Sequence, residues 1–192
     1  MQPPSMPTGG ASPQPSRRLR GPEILRDALV RELLGKRLVA VLSTLEPDGS
    51  VHAVALWCAA TDAGIVFATG SGSRKVKNLE RDLRATMTLH DSRPGFEVCG
   101  ASIAGRVELV RGAEAAALVA LVHRRYVTAA GAALPALASD DVALVLSPEQ
   151  AFTWDERSSA AAAVLHETGG ALPLEPTSPR ERAAGTRFQP GT

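Results

Sequence analysis

The chain has 192 residues, with 21 Lys and Arg against 20 Asp and Glu and a formal net charge of +1. That length fits one domain with tails and is long enough to bury a core. The near balance of charge excludes a dedicated nucleic-acid binder, so any polyanion site must be a local cluster. Only 4% of the residues are aromatic, and a core of Val, Leu and Ala is expected.

Residues 1–20 are rich in Pro, Gly, Ser and Gln and end in Arg17, Arg18 and Arg20. With almost nothing to bury they cannot offset their ordering entropy, and they read as a disordered tail. Residues 167–192 repeat this character, with Pro173, Pro176, Pro179 and Pro190 among scattered charges. The folded unit is therefore expected at 22–166. The N-terminus lacks a continuous apolar stretch, and no later run approaches the ~20 apolar residues of a membrane span. These features predict a soluble, cytoplasmic protein. Cys58 and Cys99 lie in apolar runs and lack metal-ligand spacing, so they read as small buried thiols.

Pro22 opens a predicted helix, where a missing N–H costs least. Leu25, Leu29 and Leu33 recur every four residues and give it one apolar face. Three strand-like segments follow, Leu38–Leu45, Val51–Ala60 and Ile65–Thr69. They are separated by the turns Pro47-Asp48-Gly49-Ser50 and Thr61-Asp62-Ala63-Gly64 and predict an antiparallel meander. Arg74–Asp82 has helical spacing at Val76 and Leu79. Arg84–His90 and Glu97–Val110 are further strands, the second with Gly100 and Gly105, which predict bulges or bends. Ala113–Tyr126 reads as a helix, and Asp141–Ser147 and Ala151–Trp154 as two closing strands. Many strands with few crossover helices favour a mainly β (α+β) small antiparallel barrel over a doubly wound sheet.

The chemistry concentrates in Thr69-Gly70-Ser71-Gly72-Ser73-Arg74-Lys75-Val76-Lys77-Asn78-Leu79. The run leaves a strand, passes two glycines and two serines, and enters a helix. A helix N-terminus concentrates unpaired N–H groups and positive dipole. The dipole disfavours Arg74 and Lys75 there unless an anion sits between, and both side chains suit a phosphate. A solvated turn before an ordinary charged helix face is the other reading of the same residues. The spacing fits neither a Walker loop nor a Rossmann fingerprint.

These pieces occur in one order: Ser43-Thr44, Pro47-Asp48-Gly49, Leu56-Trp57, Thr69 to Leu79, then Val98 to Val110 ending Gly105-Arg106-Val107-Glu108-Leu109. In that order residues 38–112 resemble the pyridoxamine 5'-phosphate oxidase-like split barrels, particularly their F420-dependent (deazaflavin) branch. The resemblance implies a six-stranded antiparallel split β-barrel with flanking helices. It implies that Thr69, Ser73, Arg74 and Lys75 hold a cofactor phosphate, with Asn78 one turn further on. It also implies that Val54, Ala55, Leu56 and Trp57 run beside the cofactor ring, and that a homodimer carries the cofactor at its subunit interface.

The activity so implied is hydride transfer from coenzyme F420 to an unsaturated small-molecule substrate. The cofactor supplies that chemistry, so no side chain is assigned a catalytic role and no metal is expected. FMN, as in pyridoxamine phosphate oxidases or flavin reductases, suits the same loop. A non-catalytic flavin or haem binder is a third reading, with His166 as the candidate axial ligand. Two features depart from the branch. Ala55 stands where many members carry Pro, and Thr186-Arg187-Phe188 resembles a Thr-Arg-aromatic ending but follows a long Pro-rich segment.

Overall fold

The computed structural model describes residues 16–93, 97–127 and 140–157. In chain order the elements are β1 (Arg17–Arg20), a 3-10 turn (Gly21–Arg26), α1 (Ala28–Gly35), β2 (Ala40–Leu45), β3 (Val51–Leu56), β4 (Cys58–Thr61) and β5 (Gly64–Gly70). Then come α2 (Arg74–Arg81), β6 (Arg84–Arg93), β7 (Glu97–Val110), α3 (Gly112–Val127) and β8 (Asp141–Asp155). All strand pairs are antiparallel.

The order across the sheet is β3-β2-β6-β7-β8-β5-β4, with β1 added on β8. Its two ends, β3 and β4, are joined by the single residue Trp57. Two peptide steps span about 7 Å, so the sheet must curl until its first and last strands meet. That closure, left unzipped at the β3 end, is the split barrel expected from the sequence. The expected Val51–Ala60 strand is bent at Trp57 into β3 and β4. The hairpins β2–β3 and β4–β5 form as expected, but β3 and β4 leave for opposite ends of the order, so the segment is not a simple meander.

Three other boundaries differ from expectation. Arg17–Arg20 lie within the stretch read as a tail, yet they form β1, with Arg17 opposite Thr153 and Arg20 opposite Gln150. Backbone pairing along β8 orders them where their side chains bury little. Residues 1–15 and 167–192, with Thr186-Arg187-Phe188 among the latter, lie outside the described residues.

The first helix is two pieces, because Asp27 adopts an extended conformation (φ −60°, ψ 136°) and caps α1. Its carboxylate accepts from the N–H groups of Leu29 and Val30 at 3.0 and 3.2 Å and pairs with Arg17 at 2.8 Å. Asp27→Ala is expected to cost about 1–2 kcal/mol through the lost cap, read by denaturant unfolding.

The two predicted closing strands are one, β8, running through Pro148. The register shifts between Ala104 and Gly105, which face Gln150 and Pro148. The bulge at Glu149 accommodates the missing proline N–H, and a proline within a strand pattern otherwise reads as a break.

Inside the barrel Leu42, Phe67, Met87, Ile103 and Leu144 are fully buried, and Ile24 and Leu33 close one end. Phe67 is the one aromatic in this core among the described residues, in keeping with the composition. A second cluster forms where Ala115, Val119 and Val122 of α3 cover Val66, Ala143 and Val145 on the outside of the barrel. Cys58 and Cys99 are free and buried, and burial pushes both thiols above their ordinary range. No helix among the described residues is long and apolar enough to cross a membrane.

The outer face of β3, β2, β6, β7 and the second half of β8 lies away from α3. Cross-strand registers place Ala55, Val41, Thr88, Ser102 and Phe152 in one row, and Ala53, Ser43, Thr86, Ala104 and Gln150 in the next. Neither row contains a charged side chain. Arg18 and Arg20 of β1 extend them at the edge, and Phe152 is 41% exposed.

Candidate functional site

Helix α2 is fixed to the mouth of the barrel by both its faces. Val76 and Leu79 are fully buried in the core. The Nδ2 of Asn78 donates to the Oγ1 of Thr44 at 3.1 Å, and both residues are buried. Arg81 donates to the carbonyl of Leu45, and Arg74 pairs with Glu46 at 2.8 Å. The helix N-terminus is therefore held where β5 ends, with little freedom to move. Asn78, expected beside the cofactor, serves here as a tie between α2 and β2.

Thr69 and Ser73 face one another at that end, Oγ1 to Oγ, at 3.3 Å. Ser73 occupies the N-cap position, but its side chain makes no capping bond. The backbone N–H groups of Arg74 and Lys75 find no acceptor among the described residues. Ser71 is held by Asp140, through its N–H to the carbonyl at 3.0 Å and its hydroxyl to the carboxylate at 3.1 Å.

The two cations differ sharply. Arg74 is 70% exposed at its side chain and already neutralised by Glu46. Lys75 is only 8% exposed, no carboxylate pairs with it among the described residues, and burial lowers its pKa from the ordinary 10.5. A buried ammonium without a partner is costly. Two N–H groups without acceptors and two hydroxyls lie at the end of β5, and Lys75 stands in the first turn of the helix that follows. That arrangement can hold an anion such as a phosphate group.

Beside the cradle runs the open seam of the barrel. The β4–β5 ladder ends at Cys58 opposite Phe67. A cavity of about 260 Å³ opens there, lined by Val39, Ala55, Leu56, Trp57, Ala68 and His123. Ala55, Leu56 and Trp57 line this cavity together with Ala68 of β5, whereas Val54 pairs with the buried Leu42 and faces inward.

Two further residues of α3, Tyr126 and His123, reach Trp57. Tyr126 stacks on Trp57 with centroids 5.0 Å apart and planes within 3°. Its hydroxyl donates to the carbonyl of Leu38 at 2.6 Å and accepts from the N–H of Cys58 at 3.4 Å. It braces the link on which barrel closure depends. The only hint was that it is the sole Tyr, on the helix that covers this end. No group of metal-ligating side chains occurs among the described residues. His166 lies outside them.

The family model described as pyridoxamine 5'-phosphate oxidase matches residues 27–155. The chain belongs to this family. The match begins at the α1 cap and ends with β8, so it spans barrel, cradle and seam but leaves β1 outside. A comparison with curated protein sequences finds no match.

Several solved structures share the barrel. The conserved hypothetical protein Rv2991 of Mycobacterium tuberculosis is 25% identical with a TM-score of 0.61, over 79% of this chain and 91% of that one. A structure titled F420 reductase is 24% identical with a TM-score of 0.53, over 63% and 94%. A haem storage protein of Vibrio cholerae, HutZ, is 16% identical with a TM-score of 0.53, over 66% and 92%. At such identities the last two show the fold alone. The pyridoxamine 5'-phosphate oxidase fold thus carries different ligands in different members, and the side chains of this chain must decide among them.

Proposed function

We propose that this chain is a homodimeric oxidoreductase that binds coenzyme F420 and passes a hydride from it to an unsaturated small-molecule substrate. The observation that carries the reading is Lys75, a side chain only 8% exposed that meets no carboxylate among the described residues, in the first turn of the helix that follows the Thr69 and Ser73 hydroxyls. An anion bound there relieves its desolvation. When bound, the reduced deazaflavin supplies the hydride. Thr69, Ser73 and Lys75 hold its phosphate, and Arg74 joins them by exchanging Glu46 for the anion. The backbone of Ala55, Leu56 and Trp57 offers the ring a strand to lie along, away from water. The F420 reductase of the same fold agrees with this choice of cofactor.

The charge-free outer rows of β3, β2, β6, β7 and β8 support the dimer. A flat face of Ala, Ser, Thr and Val without charge suits a second copy, because interface cores are depleted in charged residues. Thr86→Arg, set in the middle of this face, is expected to shift the protein from dimer to monomer in sedimentation velocity. It is also expected to weaken cofactor binding at least tenfold if the partner completes the groove.

Titration of the purified protein with F420 and with FMN, followed by absorbance, tests the cofactor. Micromolar or tighter F420 affinity with weaker FMN affinity is expected. A flavin spectrum on isolation assigns the cradle to FMN, and a haem spectrum removes the oxidoreductase reading.

A further inference from the structure

Trp57 is the single residue that joins the two ends of the sheet, and it has two dissimilar faces. One lies parallel on Tyr126. Tyr126 is itself fixed to the backbone of Leu38 and Cys58, so the indole has little room to turn. The side chain nevertheless remains 42% exposed and lines the seam cavity. His123 stands edge-on to the indole, with planes at 88° and centroids 6.3 Å apart. Trp57 and His123 thus form two walls of a right-angled corner.

The corner is selective by its chemistry. Apart from His123 its lining is apolar, and no charged side chain lines it among the described residues. The nearby Arg125 contacts the Tyr126 ring and gives its guanidinium to the carbonyls of Leu34 and Lys36, so it is engaged elsewhere. A charged ligand entering the cavity loses hydration without gaining a counter-ion. A planar ring stacks well on an electron-rich indole, best when the ring is electron-poor. His123 supplies the one polar side chain apart from the indole N–H. Its Nδ1 is buried without a hydrogen-bond partner, so an N–H is better placed on Nε2, where it can donate.

Resting on the proposed cofactor reading, we infer that this corner is the substrate subsite: it binds a planar, uncharged, conjugated carbonyl compound against Trp57, with His123 beside its oxygen. Trp57 and His123 are then specificity-determining residues of the reaction.

The test uses the two tryptophans of the chain. In a Trp154→Phe background, Trp57 alone emits. Titration with 2-acetylnaphthalene is expected to quench that emission saturably. The carboxylate analogue, 2-naphthoate, is expected to bind at least tenfold more weakly. His123→Leu is expected to weaken 2-acetylnaphthalene binding about fivefold while leaving the melting curve in place. Should Trp154→Phe fail to fold, isothermal titration of the wild type against Trp57→Leu reads the same binding.

Each titration is repeated with the protein saturated in F420, whose own binding is measured separately. Undiminished or tighter binding of 2-acetylnaphthalene supports the subsite. Competition between the two would show that the cofactor ring itself occupies the corner and would overturn the inference. Equal affinity for the neutral and anionic compounds, or no binding to a protein that does bind F420, would also overturn it. Failure of F420 to bind while 2-acetylnaphthalene still does would count against the cofactor reading alone.

Discussion

Replacing Lys75 by Met is expected to lower cofactor affinity about 30-fold and, at the same time, to raise the melting temperature. The affinity loss corresponds to about 2 kcal/mol, the scale of a charge-assisted hydrogen bond to phosphate. The stability gain has a separate cause. In the free protein Lys75 is only 8% exposed and meets no carboxylate among the described residues, and burial has pulled its pKa below 10.5. Met keeps the aliphatic stem and removes the desolvated charge. A gain of about 1 kcal/mol is expected, worth a few degrees in Tm. A lysine with a purely structural role predicts the opposite sign.

The pH dependence follows from the direction of that shift. Below the lowered folded-state pKa both folded and unfolded chains hold the proton, and the penalty is fully present. Between that value and 10.5 the unfolded chain binds more protons than the folded one, so stability rises with pH. The advantage of Lys75→Met over the wild type should therefore shrink as pH climbs toward 10.5. Paired unfolding curves at neutral pH and near pH 10 measure it.

Gly105→Ala should cause the largest loss of stability, about 3 kcal/mol and about 10 °C in Tm. A Cβ at Gly105 would lie 2.0 Å from the carbonyl oxygen of Ser147 and 2.9 Å from its carbonyl carbon. Both are backbone atoms of β8 and cannot rotate aside. The clash falls at the β7–β8 register shift, where the sheet bends, so relief requires unpicking central pairs. Gly72→Ala is the matching control within the cradle. Its Cβ meets nothing within 4 Å, and no loss of stability is expected.

Much of the fold was legible because local chemistry and tertiary structure agree. The Pro47–Ser50 turn has Gly49 at φ 85°, and Asp48 accepts from the N–H of Ser50 at 2.9 Å, as its sequence implies. The cradle was legible because glycine, hydroxyl and cation types cluster at a strand-to-helix junction. What was not legible depends on partners distant in sequence. The burial that sets Lys75 apart from the adjacent Arg74 arises only once α2 docks on the barrel. Asn78 is tied to Thr44 across 34 positions. The stack of Trp57 on Tyr126 forms only once the sheet has closed and α3 has docked. The break at Asp27 carries a weak local signal, an Asp followed by Ala-Leu-Val, but the four-residue leucine spacing overrides it.

The central claim is that the Thr69–Lys75 cradle holds the cofactor through its phosphate. A double-mutant cycle tests it most directly, measuring the affinities of FMN and riboflavin, which differ only by that phosphate, for the wild type and for Lys75→Met. Should the protein bind only deazaflavins, F420 and its deazariboflavin core, which lacks the phosphate and the chain beyond it, replace them. Removing the phosphate should cost the wild type at least tenfold and the Lys75→Met protein about threefold or less, because the two groups interact with each other. An equal cost in both proteins would place the phosphate elsewhere and contradict the account.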